Sequence, residues 1–153
     1  MRRKDREIVD KNEIEEILSR SEVIRIALVD EGEPYLVAMN YAYLNEVIYL
    51  HSANEGRKVE IIKKSPSVAF LVDVDAEIYS VDNSSKCSSR YRSVFGTGKA
   101  SFVEVREEKK LALDALMCKH TDQVEFSYPD ALFERTLIIK IVIDEMTGKK
   151  AGY

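Results

Sequence analysis

Residues 91–105, YRSVFGTGKASFVEV, constrain the fold more than any other stretch. Their β-branched and aromatic side chains specify one long strand, yet Gly96 and Gly98 lie inside it. Glycine within a strand marks a bulge, a sharp barrel corner or the close approach of another backbone. Gly96-Thr97-Gly98 is not a dinucleotide fingerprint, because no strand–turn–helix context surrounds it. Further strands are expected at 23–29, 35–39, 47–51, 68–74, 77–81 and 136–143. The first two of these pair as a hairpin across the polar turn Asp30-Glu31-Gly32-Glu33-Pro34. Strands dominate and their connections are short. A closed or partly closed antiparallel barrel suits such a set, since closure removes exposed sheet edges.

Helices are fewer. Asp10-Lys11-Asn12-Glu13 is a capping box that opens a short helix to about Ser19, with Ile14, Ile17 and Leu18 on one face. It reads as an amphipathic lid over a larger body. Residues 106–120 read as a second helix, with Leu111, Ala115 and Cys118 on one stripe and Leu113, Leu116 and Met117 beside it. His120 ends that helix, where imidazolium would favour the dipole. With no second ligand at suitable spacing it reads as a terminal residue, not a metal ligand. Pro129 marks another helix start within 127–134. Residues 40–45 read as a link between strands, 82–89 as a polar loop containing Cys87, and 144–150 as a segment turning away from the last strand.

The 153 residues suffice for one well-buried domain, 1–153, with 1–21 as a helical extension. A net charge of −4 gives no general attraction to nucleic acid or to an anionic membrane, so any phosphate site must be local. No apolar run approaches the roughly 18 residues of a membrane span. Met1-Arg2-Arg3-Lys4 is basic without a following apolar stretch, which excludes a secretory signal and leaves a cytoplasmic protein as the expectation. Cys87 and Cys118 form no CxxC pair and no zinc set, so two free thiols are expected and no metal.

One stretch brings chemistry together. Residues 46–64, EVIYLHSANEGRKVEIIKK, begin as a buried strand and end as a helix. Ser52-Ala53-Asn54-Glu55 reads as a capping box between them, and Gly56, Arg57 and Lys58 follow in the first helical turn. Free N–H groups, the positive end of a helix dipole and two cations would then meet beside a strand end, which is what holding a phosphate requires. A solvated basic turn is the alternative. Arg25, in an apolar run, needs a partner and reads as salt-bridged within the fold.

Tyr49-Leu50-His51-Ser52-Ala53, then Gly56-Arg57-Lys58, then Ser65-Pro66-Ser67-Val68-Ala69-Phe70 resemble the FMN-binding split-barrel superfamily, which contains the pyridoxamine 5′-phosphate oxidases. The similarity is nearest to its nitroimidazole-resistance-like branch, whose strand-end histidine corresponds to His51. This resemblance implies a mainly β fold: a six-stranded antiparallel Greek-key split β-barrel with flanking helices. It also implies a homodimer with FMN in grooves at the interface. Carried over residue by residue, the cofactor site comprises Val37, Met39, Asn40 and Tyr41 along the flavin, then His51, Ser52 and Ala53 at the strand end. Arg57 and Lys58 would meet the phosphate, and Ser93 and Val94 lie on the long strand. Arg92 is either a third phosphate cation or a solvated strand residue. For Asn40 the alternative is a turn-shaping role, and for Tyr41 and Tyr43 it is packing.

The activity implied is that of an FMN-dependent oxidoreductase passing electrons from NAD(P)H to a small organic acceptor such as a nitroaromatic. No serine–histidine–carboxylate set or carboxylate pair can be placed, so no catalytic residue is assigned. Flavin chemistry needs none, because the cofactor carries the electrons. His51 either transfers a proton or supports the loop by hydrogen bonding. The chain lacks tryptophan, and its C-terminal segment lacks the substrate arginine of true pyridoxamine phosphate oxidases, so vitamin B6 oxidation is not expected. The alternatives are a flavin- or haem-binding carrier or sensor without turnover, and an interaction protein with an empty barrel.

Overall fold

A computed structural model describes residues 3–80, 87–121, 123 and 125–153. After a 3-10 turn at Lys4–Arg6 the order is β1 (Glu7–Ile8), α1 (Lys11–Arg20), β2 (Val23–Asp30), β3 (Glu33–Leu44) and β4 (Val47–Ala53). Then come α2 (Arg57–Lys64), β5 (Ser67–Ser80), β6 (Cys87–Phe102), α3 (Arg106–Cys118), α4 (Asp130–Arg135) and β7 (Thr136–Ala151). The sheet runs β7-β4-β3-β2-β5-β6, and β6 pairs back onto β7, so six strands close into a ring. Every pairing is antiparallel, and β1 adds to the C-terminal half of β7. The expected six-stranded barrel is the fold that forms.

Closure depends on the glycines of β6. A Cβ on Gly96 would run into the Phe70 ring, and one on Gly98 would overlap the Val142 carbonyl oxygen on the neighbouring strand. The β6–β7 register also slips between Thr97 and Gly98, where Asp144 of β7 is the extra residue, a bulge that bends the strand pair. A second irregularity falls in β5 between Val74 and Glu77. There Asp75 adopts a positive φ of 56°. Arg20 and Arg92 hold its carboxylate at 2.5 and 3.0 Å, and the Tyr153 hydroxyl donates to its carbonyl at 2.9 Å.

The core divides in two. Inside the ring, Ile24, Ile26, Ile48, Leu50, Phe70, Val72, Val94 and Ile141 are buried. α1 and α2 stopper opposite ends, contributing Ile14, Ile17 and Leu18 at one and Ile61 and Ile62 at the other. Outside it, Ala42, Tyr49 and Ile138 pack under Ala112 and Leu116 of α3. Strand β4 is therefore buried on both faces, which accounts for its unbroken apolar sequence. The half-buried trio Lys140–Glu108–Tyr49, with distances of 2.9 and 3.3 Å to Glu108, fastens α3 to this face.

Several local expectations need correction. Residues 40–45 are not a linker: β3 continues to Leu44 and turns at Asn45 and Glu46, both at positive φ, as a two-residue hairpin requires. Residues 144–150 do not turn away, because β7 stays paired to β6 as far as Ala151 and takes β1 on its other edge at Gly148 and Lys149. Tertiary pairing overrides the local turn signal of Thr147-Gly148. On α3 the buried residues are Ala112 and Leu116, whereas Leu111 is exposed. Of the expected serine-rich loop, 82–86 lie outside the described residues, and Cys87–Ser89 already belong to β6. Among the described residues no helix is long and apolar enough to cross a membrane.

Candidate functional site

The barrel opens at one seam. β3 pairs with β2 from Glu33 to Asn40, but with β4 only from Tyr41 to Leu44. The last β3–β4 pair is Tyr41↔Leu50. Beyond it His51, Ser52 and Ala53 keep only the pairing to β7 that runs along all of β4, opposite Ile138, Leu137 and Thr136. Backbone groups of β3 up to Asn40, on the edge away from β2, and of β4 from His51, on the edge away from β7, therefore form no ladder with each other. Backbone N–H and C=O groups left in this way need water or a ligand.

Three residues beyond Ala53 the chain enters α2. Gly56 is its N-cap, at φ +122°, and no side chain accepts from the first-turn N–H groups. The capping box expected from Ser52 and Glu55 does not form. Ser52 is the last inward-facing residue of β4, and its hydroxyl donates to the Ala53 carbonyl at 3.0 Å. The consequence favours an anion: the Val59 N–H bonds to the Gly56 carbonyl at 2.9 Å, and the Arg57 and Lys58 N–H groups at the positive end of α2 carry no side-chain cap. Lys58 stands in that first turn with no acidic partner among the described residues. Arg57 is committed otherwise. Its Nε meets Asp30 at 3.0 Å and its guanidinium lies 4.7 Å over the Tyr35 ring.

The expected site residues separate by face. Val37 and Met39 pack against the barrel core, and Tyr41, Ser52 and Val94 are buried. The Tyr41, Ser52 and Val94 side chains are thus withdrawn from solvent, and Val37 and Met39 are half-buried. Asn40 and His51 face outward and line one hollow. Ala53 is exposed at the strand end. Ser93 lies on β6, between Asp73 of β5 and Lys149 of β7. Arg92 belongs to the Asp75 and Glu13 ion pairs, not to α2. Arg25 pairs with Asp73 at 2.5 Å, as its sequence context required.

Tyr41 is anchored inside. Its hydroxyl donates to the Leu18 carbonyl at 2.5 Å, and the Lys119 ammonium sits 3.6 Å from its ring centroid while donating to the same carbonyl at 3.4 Å. Burial raises the Tyr41 phenol well above its ordinary range and lowers the Lys119 ammonium to about 8. Burial, then Glu15, raises Tyr43 to about 12. The Tyr41 side chain is thus packed inside the barrel.

The hollow at the seam is about 430 Å³ and is roofed by α3 and α4. Leu113, Leu116, Met117, Leu132 and Phe133 make it apolar, and Asn40, His51, His120, Tyr128 and Thr136 add polar groups. Sequence reasoning missed every lining residue from the helices. The available signal was that the chain has only two histidines, but no spacing rule joins His51 to His120.

A ring of six antiparallel strands, parted between β3 and β4 and stoppered by two helices, defines the split-barrel class. The family described as pyridoxamine 5′-phosphate oxidase matches residues 10–150, and the chain belongs to it. A candidate 5-nitroimidazole antibiotic resistance protein from Bacteroides thetaiotaomicron is 35% identical, with a TM-score of 0.85 over 94% of this chain and 86% of that one. The FAD and haem binding protein from Mycobacterium smegmatis shares the fold at 17% identity, with a TM-score of 0.84 over 97% of this chain and 74% of that one. So does the flavocytochrome Anf3 from Azotobacter vinelandii, at 15% identity and a TM-score of 0.82 over 100% and 72%. No curated protein matches the chain.

Proposed function

We propose that the chain is an FMN-dependent oxidoreductase that takes electrons from NADH or NADPH and passes them to a small organic acceptor such as a nitroaromatic. The observation that carries this reading is the seam: strand edges without a ladder leading directly to an uncapped helix N-terminus with an unpaired Lys58. The donor set fits FMN, with the phosphate on the α2 N–H groups and Lys58. Backbone of Met39, Asn40, Tyr41, Ser52 and Ala53 would meet the polar edge of the ring. Bound there, FMN would supply the hydride chemistry. Asn40 and His51 hold the outer side of the seam, and the apolar helical wall excludes water from it. A family relative described as a candidate 5-nitroimidazole antibiotic resistance protein supports the choice of acceptor.

A homodimer belongs to the same proposal. Leu36, Leu71 and Phe95 are exposed on one outer face, where they flank Ala27 and Ala69. A second copy seated there would cover apolar surface and bring its own Ser93 toward this chain's seam. The second reading is a flavin- or haem-binding carrier without turnover. It is favoured by two imidazoles sharing an apolar hollow whose lining, among the described residues, includes no cysteine, serine or carboxylate. An absorbance spectrum decides between them. The reductase reading expects flavin bands, bleached anaerobically by NADH or NADPH and restored by a nitroaromatic. A bound flavin that no nicotinamide donor bleaches, or a Soret band in its place, contradicts it.

A further inference from the structure

We propose that His120 is the partner of His51 in a ligand site under α3 and α4, where the two imidazoles grip the oxygen pair of a planar aromatic nitro or carboxylate compound. The proposal names the substrate class of the site and rests on the reductase reading above. The chain has two histidines, and both line the same hollow of about 430 Å³. They come from unrelated places: His51 from the end of β4, His120 from just beyond α3.

The other polar side chains of the hollow have committed donors. The Tyr128 hydroxyl donates to Asp114 at 2.9 Å, Thr136 Oγ1 to the Leu132 carbonyl at 2.9 Å, and Asn40 Nδ2 to the Glu22 carbonyl at 3.3 Å. Among the described residues neither imidazole has a side-chain hydrogen bond or an ion pair. Two uncommitted polar groups on an otherwise apolar wall are the pattern of a small-molecule site, in which the wall supplies burial and the polar pair fixes orientation. An aromatic ring suits Met117 and Phe133, through thioether–ring and ring–ring contact. Nitro and carboxylate groups both present two coplanar oxygens to a pair of N–H donors. A metal is the wrong occupant, because no third histidine, cysteine or carboxylate joins the two imidazoles among the described residues.

The test uses protein labelled with ¹⁵N at histidine, which gives two imidazole signals, titrated with nitrobenzene, benzoate and toluene. Nitrobenzene or benzoate should shift both signals and bind roughly tenfold more tightly than toluene, the worth of a hydrogen bond retained in an apolar site. Whichever of the two binds fixes the class as a neutral acceptor or an anion. His120→Gln should erase most of that advantage while leaving toluene binding, FMN affinity and the thermal midpoint unchanged. Toluene binding as tightly as nitrobenzene and benzoate, or His120→Gln leaving both affinities intact, would overturn the assignment. So would haemin taking both imidazoles as iron ligands. An FMN titration run in parallel keeps the two readings apart: lost flavin binding with intact nitrobenzene binding refutes the cofactor and spares the hollow.

Discussion

Replacing Tyr41 by phenylalanine separates packing from cofactor binding. The tyrosine is fully buried, and its hydroxyl donates to the Leu18 carbonyl at 2.5 Å. That carbonyl lies in the last turn of α1, where helices leave oxygens without intrahelical donors. A net hydrogen bond contributes about 0.5–1.5 kcal/mol, and a stranded buried acceptor costs about 1–3 kcal/mol. Here Lys119 still reaches the same oxygen at 3.4 Å, so the loss should fall near the middle, about 1.5 kcal/mol. For a chain of this size that lowers Tm by about 3–6 °C. The ring remains, so barrel volume and the cation–π contact with Lys119 are kept. Circular-dichroism melting and an FMN titration of the same variant read the two roles. The expected result is a lower Tm with FMN affinity within about twofold of the parent. An unchanged Tm together with tenfold weaker FMN binding would show that the hydroxyl serves the ligand and that its structural assignment is wrong.

Other perturbations probe the seam, the closure and the buried lysine. Gly98→Ala places a methyl group against the Val142 carbonyl and 2.8 Å from Ile141 Cγ2. It should cost about 1–3 kcal/mol, visible as a lower urea midpoint; an unchanged midpoint would contradict closure at this bulge. Lys58→Ala should weaken FMN by about 1.5–3 kcal/mol and leave riboflavin, which lacks the phosphate, unaffected, whereas equal losses would sink the phosphate assignment. Burial lowers Lys119 in the folded state to about 8, from the ordinary 10.5. Below pH 8 both states hold the proton and the desolvation penalty is complete. Between about pH 8 and 10.5 the folded state releases its proton first, so stability should rise with pH relative to Lys119→Met. Parallel pH–stability curves for the two proteins would refute this.

Much of the fold was legible because its signals are local. The β2–β3 hairpin, the Asp10 cap of α1, which accepts from the Asn12 N–H at 2.9 Å, and the close approach at the glycines of β6 all follow from short-range rules. The path of β7 was not, since its run beyond Ile143 is strand through its pairing to β6, with β1 on the other edge at Gly148 and Lys149. The site was legible in part. Lys58, Asn40 and His51 could be picked out from the order of motifs. Which of the neighbouring side chains face inward depends on strand parity, and resemblance alone does not deliver that for Val37, Met39 and Val94. The pairing of His51 with His120 depends on how α3 lies across β4, a contact between segments distant in sequence. The absent cap of α2 is a similar case. Ser52-Ala53-Asn54-Glu55 carries a capping signature, but β4 draws Ser52 into its ladder with β7 and leaves the helix end free.

The central claim is that a flavin phosphate and ring lie along the seam between β3 and β4. Amide hydrogen exchange with and without FMN tests it most directly. The account predicts new protection at Met39 to Tyr41, His51 to Ala53 and the first turn of α2 at Arg57 and Lys58, with no change in the β2–β5 ladder. Protection confined to other strands, or absent from the α2 N-terminus while FMN is bound, would contradict it.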